Sequence, residues 1–219
     1  MMRWAAGLMA LSVSACGGLS YSVPRDLLQE VSVENKLTLF EEENNVSIAL
    51  DEREQIRREI QLVKEDIIDT DKQIEEAIGD GERAADKGDA ERERIAVMAE
   101  EVFAMKKDFL REQIGLLRER LKVQDAFIYV AFARYELAKA KLVKKNNVRG
   151  AQDVDLEDFE EQLTEYVEAA KGYQQDFSER EAEVEEVRKG WLAQREQLQK
   201  ASGGGIGSAW AEDSALWGF

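Results

Sequence analysis

An all-α fold, an elongated antiparallel three-helix coiled-coil bundle with flexible termini, is what three features of this sequence predict. The chain has a single Pro, with 44% hydrophobic and 35% charged residues, a balance that belongs to long helices and not to a sheet. Three stretches repeat apolar residues at alternating spacings of four and three, the seam of a coiled coil. Two short runs rich in Gly, Asp and Asn separate those stretches, which makes each helix antiparallel to its sequence neighbour.

The first element is not part of the bundle. Arg3, the apolar run Ala5–Val13 and the small residues that follow it have the layout of a signal peptide over residues 1–15. The run is too short to span a bilayer as a helix. Val13-Ser14-Ala15-Cys16 then resembles the lipobox of bacterial lipoproteins, and Cys16 is the only cysteine in the chain. That resemblance covers these first residues alone. It implies cleavage before Cys16, a diacylglyceryl thioether on its sulfur and acylation (palmitate) of the new amino terminus. Gly17, where lipoproteins retained in the inner membrane of enterobacteria carry Asp, implies the inner leaflet of the outer membrane, facing the periplasm. More than one acyl chain gives stable attachment where a single chain is marginal.

Residues 16–24 read as a lipidated tether, and residues 25–200 as the bundle. Between Arg25 and Asn45 the pairs Val31/Val33 and Leu37/Leu39 alternate as in a strand. No second strand candidate lies nearby, so helix is the better assignment. Helix 1 then carries Val46, Ala49, Arg53, Ile56, Ile60, Val63, Ile67, Thr70, Ile74 and Ala77 on its seam. Gly79, Gly81 and Gly88, with Asp80, Asp86 and Asp89, predict its end and a connecting loop.

Helix 2, from Ala90 to Asn147, is the organiser of the bundle. Its seam runs Ile95, Met98, Val102, Met105, Phe109 and, shifted by one residue, Leu110, Ile114, Leu117, Leu121, Gln124, Ile128, Ala131, Tyr135, Ala138, Leu142. At 1.5 Å per residue, its stretch of about 58 residues would reach roughly 85 Å. Phe127, Val130, Phe132 and Leu137 add apolar surface outside that seam, as a helix with neighbours on more than one side requires. Lys144 and Lys145 complement its carboxyl end.

Asp153 or Asp155 is placed to cap helix 3. The seam of helix 3 is Leu156, Phe159, Leu163, Tyr166, Ala170, Tyr173, Phe177, Arg180, Val184, Val187, Trp191, Gln194 and Leu198. Polar seam members such as Gln124, Arg180 and Gln194 fix register at some cost in stability. Charge supports the order of pairing. Ala90–Asn147 holds 13 basic and 9 acidic residues, whereas Glu34–Ile78 and Asp155–Lys200 each hold 6 basic and 14 acidic ones. A basic helix between two acidic ones finds both partners through charges beside the seam.

Residues 201–219 begin as a Gly-rich linker and end in an aromatic tail. Trp210 and Trp217 fall on one face of a helix, and with Leu216 and Phe219 they are candidates for docking a protein partner.

The chain has no His, and its formal net charge is −16. The first removes His-based triads and His metal ligands. The second leaves no basic face large enough for nucleic acid. Paired acids such as Glu160/Glu161 and Glu185/Glu186 belong to a solvated helix face, no Gly-rich run cradles phosphate, and no cofactor or metal is expected. The expectation is a non-catalytic, outer-membrane-anchored scaffold or adaptor of an envelope complex, held to the membrane by Cys16. The alternatives are a periplasmic holding chaperone with helical arms and a homo-oligomeric structural rod.

Overall fold

The computed structural model describes residues 19–203. Every regular element among them is helical: α1 (Arg25–Gln29), α2 (Val33–Lys36), a 3-10 turn (Leu37–Leu39), α3 (Phe40–Asp86), α4 (Ala90–Lys145), a second 3-10 turn (Ala151–Asp153) and α5 (Leu156–Ala201). The long helices α3, α4 and α5 have 47, 56 and 46 residues. Among the described residues the packing divides into two compact units, residues 19–46 with 128–167, and residues 47–127 with 168–203.

In the first unit the N-terminal segment supplies core residues. Val23, Leu27, Val31 and Leu39 are buried with Leu137, Ala140, Leu142 and Val143 of α4, with Val148, Ala151 and Val154 of the α4–α5 connection, and with Phe159 of α5. Each Val or Leu so buried contributes about 1.5–3 kcal/mol. The end of α4 is closed by a Schellman motif. The Val148 amide donates to the Val143 carbonyl at 3.2 Å and the Asn147 amide to Lys144 at 3.0 Å, with Asn147 left-handed at φ 52°. Asn is the side chain that tolerates this conformation best after Gly. Gly150, at φ 94°, lies under Leu27, where a Cβ would meet the Leu27 methyl at 3.2 Å.

In the second unit two clusters follow the helices. One gathers Ile56 and Val63 of α3, Phe109, Leu110, Ile114 and Leu117 of α4 and Val184 of α5. The other gathers Ala77 of α3, Ile95, Ala99, Val102 and Phe103 of α4 and Leu198 of α5. Trp191 flanks both and stacks on Phe109, centroids 5.5 Å apart. Gln124 is buried as expected of a register-fixing residue: its Nε2 donates to the Ala49 carbonyl at 2.8 Å and to Glu52 at 3.0 Å. Thr70, fully buried on the α3 seam, donates its hydroxyl to the Asp66 carbonyl at 2.7 Å, so its polarity is satisfied inside the helix.

Three expectations need correction. Helix α3 starts at Phe40, ahead of Val46, and runs through Gly79 and Gly81 to Asp86. A helical Gly costs only about 1 kcal/mol relative to Ala, and here the small residues are used for packing. Ala77, Ala84, Ala96 and Ala99 are all buried, and a Cβ on Gly81 would stand 3.5 Å from that of Ala96. The turn is therefore short, with Gly88 left-handed at φ 68°. The Asp89 amide donates to Ala84 at 2.9 Å and that of Gly88 to Ala85 at 3.0 Å, and the Asp89 carboxylate then caps α4 through the Arg92 amide at 3.1 Å.

The second correction concerns α5. Val187 and Gln194 are exposed, and Arg188 and Arg195 occupy the partly buried positions around Trp191. Long Arg stems lie along apolar surface with their charge outward, and the Arg195 guanidinium sits 6.0 Å from the Trp191 ring. The third concerns Phe127, which is exposed although Val130 and Leu137 are buried. Asp155 caps α5, accepting from the Glu157 amide at 3.0 Å.

Candidate interaction surface

The part of the molecule with the most unusual chemistry is the entry of the chain into the first unit. Residues 19–24 lie outside any helix, with a bend at Ser20, and lead directly into α1, whose first turn follows Pro24. The Tyr21 amide donates to Gln162 Oε1 at 2.8 Å, and Gln162 Nε2 donates back to the Tyr21 carbonyl at 3.1 Å. The Val23 amide donates to Glu136 Oε2 at 2.8 Å. Both side chains are buried. Backbone polar groups in a buried place need such partners, and here two side chains from α4 and α5 supply what a second strand would. The carboxylate of Glu136 is balanced by Lys139 at 2.6 Å, with both side chains at most 14% exposed.

Next to this clasp lies a groove of about 550 Å³, lined by α1 (Arg25, Leu28, Gln29), by Val33, Leu37, Leu39 and Phe40 beyond it, and by Tyr135 of α4. Val33, Leu37 and Phe40 follow helical spacing along its rim and are 75%, 53% and 61% exposed. Val31, two residues before Val33, and Leu39, between Leu37 and Phe40, are buried. Tyr135 has its hydroxyl pKa raised above the ordinary value near 10.0, first by burial and then by the negative charges of Glu43 and Glu136; Lys139 Nζ rests 4.0 Å from its ring centre. Asn35 on α2 donates to Asn146 at the end of α4 at 2.5 Å, which fastens the groove's outer wall.

Of the residues singled out in the sequence, Cys16 and the tail residues Trp210, Leu216, Trp217 and Phe219 lie outside the described residues. The residues that sequence reasoning passed over are Glu136, Gln162 and the Val33/Leu37/Phe40 face. Glu136 had one visible mark: it is the lone acid in the apolar stretch Ala126–Val143. Gln162 had none, because it stands one position off the α5 seam.

Among the described residues no group of three or more His, Cys, Asp or Glu side chains is arranged to hold a metal ion, and no helix is long and apolar enough to cross a membrane. The surface joins a fastened N-terminal segment to an exposed apolar groove. No protein-family model, curated protein or solved structure matches this chain.

Proposed function

We propose that this chain is a lipid-anchored, non-catalytic coiled-coil scaffold or adaptor of the bacterial periplasm, attached through Cys16 to the outer membrane. Its three long helices form an antiparallel bundle, and its Trp210, Leu216, Trp217 and Phe219 tail docks a protein partner. The observation that carries the reading is the clasp. Cys16 and Tyr21 are separated by no more than roughly 18 Å of extended chain, and from Tyr21 onward Gln162 and Glu136 hold the backbone. An anchor so close to a fastened strap transmits position to the fold, which suits a scaffold and is wasted on a freely tethered domain.

Pairings within each unit support the antiparallel order. Along α3 the residues Ala49, Glu59 and Asp71 meet Gln124, Arg120 and Lys107 of α4, numbers rising on one helix as they fall on the other. Phe109 meets Trp191, and in the other unit Lys141 meets Glu160 at 3.1 Å and Tyr129 stacks on Tyr166 at 5.5 Å. The charge argument is supported in part: α4 gives the cation in the pairs with Glu59, Asp71 and Glu160 and the anion in those with Arg53 and Arg180.

Two experiments test the reading. Cys16→Ser should abolish labelling with palmitate and leave an uncleaved precursor; normal labelling would defeat the anchor. Crosslinking in cells, comparing the full chain with one ending at Lys200, should lose one stoichiometric partner on truncation. A spread of unfolded outer-membrane proteins, indifferent to truncation, would favour a holding chaperone.

A further inference from the structure

We propose that the groove face of the first unit, with Val33, Leu37 and Phe40 on its rim, rests in the acyl layer of the membrane that carries the Cys16 lipids. The inference builds on the anchoring reading and adds which surface of the protein meets the bilayer.

Three observations carry it. The first is reach. The chain between Cys16 and Leu19, the first described residue, spans at most roughly 11 Å when fully extended. The clasp on Tyr21 and Val23 then denies the unit the freedom to drift away from that point. Arg25, two residues beyond Val23, already lines the groove. The groove is therefore the first surface the chain builds after its anchor.

The second observation is exposure. Val33, Leu37 and Phe40 leave large apolar side chains uncovered on successive turns of chain, beside an apolar groove floored by Leu28 and Leu39. Contiguous apolar surface of this kind marks a membrane or protein contact. A short amphipathic segment seated at the headgroup boundary buries its apolar face to a depth of about 5–10 Å, a depth that side chains of this size can fill.

The third observation is charge. Arg25, Lys36 and Glu43 line the groove, two cations against one anion. That small basic excess suits a surface of headgroup phosphates. Uncharged acyl chains then meet the apolar rim, with Arg25 and Lys36 reaching up to phosphates while their stems stay apolar.

The test uses the full-length, lipid-bearing protein in vesicles of phosphatidylethanolamine and phosphatidylcholine. With Cys16 acylated, Leu37→Cys provides the only free thiol for a nitroxide label, and Val33→Cys repeats the measurement at a second exposed site. Leu62→Cys, at a position 60% exposed on α3, serves as the reference. Collision of the label with oxygen, which partitions into lipid, is compared with collision with a water-soluble nickel chelate. The expected result is an oxygen-to-nickel ratio severalfold higher at positions 33 and 37 than at 62, already present before any phosphatidylglycerol is added.

A mass spectrum of the same sample reads the acylation of Cys16 separately. An acylated protein with all three labels in water overturns this inference and leaves the anchor standing. An unacylated protein defeats the anchor and, with it, this inference's premise. A label shielded from both reagents means a protein occupant, and a high ratio that appears only with anionic lipid means attraction by Arg25 and Lys36; either overturns the proposal.

Discussion

The two units of this chain are built from the same three helices and hold them by different means. In the first, α5 from Leu156 to Val167 packs against a core that the N-terminal strap completes, and buried polar side chains lock the strap in place. In the second, α5 from Glu168 onward buries few residues fully, Ala170, Val184 and Leu198. There the work is shared by Trp191, by Arg stems and by ion pairs such as Arg180 with Glu112 and Glu183. Charged pairs at a solvated surface contribute little each, so an α5 held mainly by them should open locally while the first unit stays closed. A uniform four-three repeat in sequence can thus give a helix of uneven stability.

The difference can be broken most severely at Glu136. Glu136→Ala strands the Val23 amide and takes the carboxylate from the half-buried Lys139, a loss of about 3 kcal/mol or more, read as a large drop in the denaturant midpoint. An unchanged midpoint would mean the clasp is not formed in solution. Trp191→Ala attacks the second unit and should cost about 3 kcal/mol, since an aromatic is removed between two clusters; if the cost is negligible, ion pairs hold α5 there. Gln162→Ala leaves both polar groups of Tyr21 without partners, worth about 1–3 kcal/mol, and should speed exchange of that amide without touching α5 beyond Glu168.

Smaller effects sharpen the contrast. Arg180→Ala should cost at most about 1 kcal/mol, and less in high salt, as surface pairs do. The smallest is seen only in alkali. Burial raises the Tyr135 pKa, so the folded protein keeps a proton that the unfolded chain releases. Stability from this source is complete below the ordinary pKa near 10.0 and declines as pH rises through the folded value. Tyr135→Phe should flatten that decline in a melting series taken above pH 10; an identical slope would place the effect elsewhere.

Much of the fold was legible because seam residues obey one rule along α3 and α4. All ten expected α3 positions, from Val46 to Ala77, are buried or half-buried. The rule failed where side-chain length outweighs polarity, as at Arg188 and Arg195, and where helical Gly is tolerated for close packing, as at Gly81 and Ala96. The alternation Val31/Val33 and Leu37/Leu39 was a true inside-outside signal, but tight turns and short helices produced it instead of a strand. The clasp was hidden for a different reason. It joins Tyr21 to Gln162 and Val23 to Glu136 across most of the chain, and no local spacing encodes such a meeting.

The central claim is that the strap through Tyr21 and Val23 belongs to the fold, and that α5 changes character along its length. Native-state hydrogen exchange, followed by mass spectrometry on the full chain, tests both at once. The account predicts strong protection of Tyr21 and Val23, which lie outside every helix, and slower exchange in α5 before Val167 than between Lys171 and Lys200. Tyr21 and Val23 exchanging at the rate of unstructured chain, with α5 protected evenly from end to end, would contradict it.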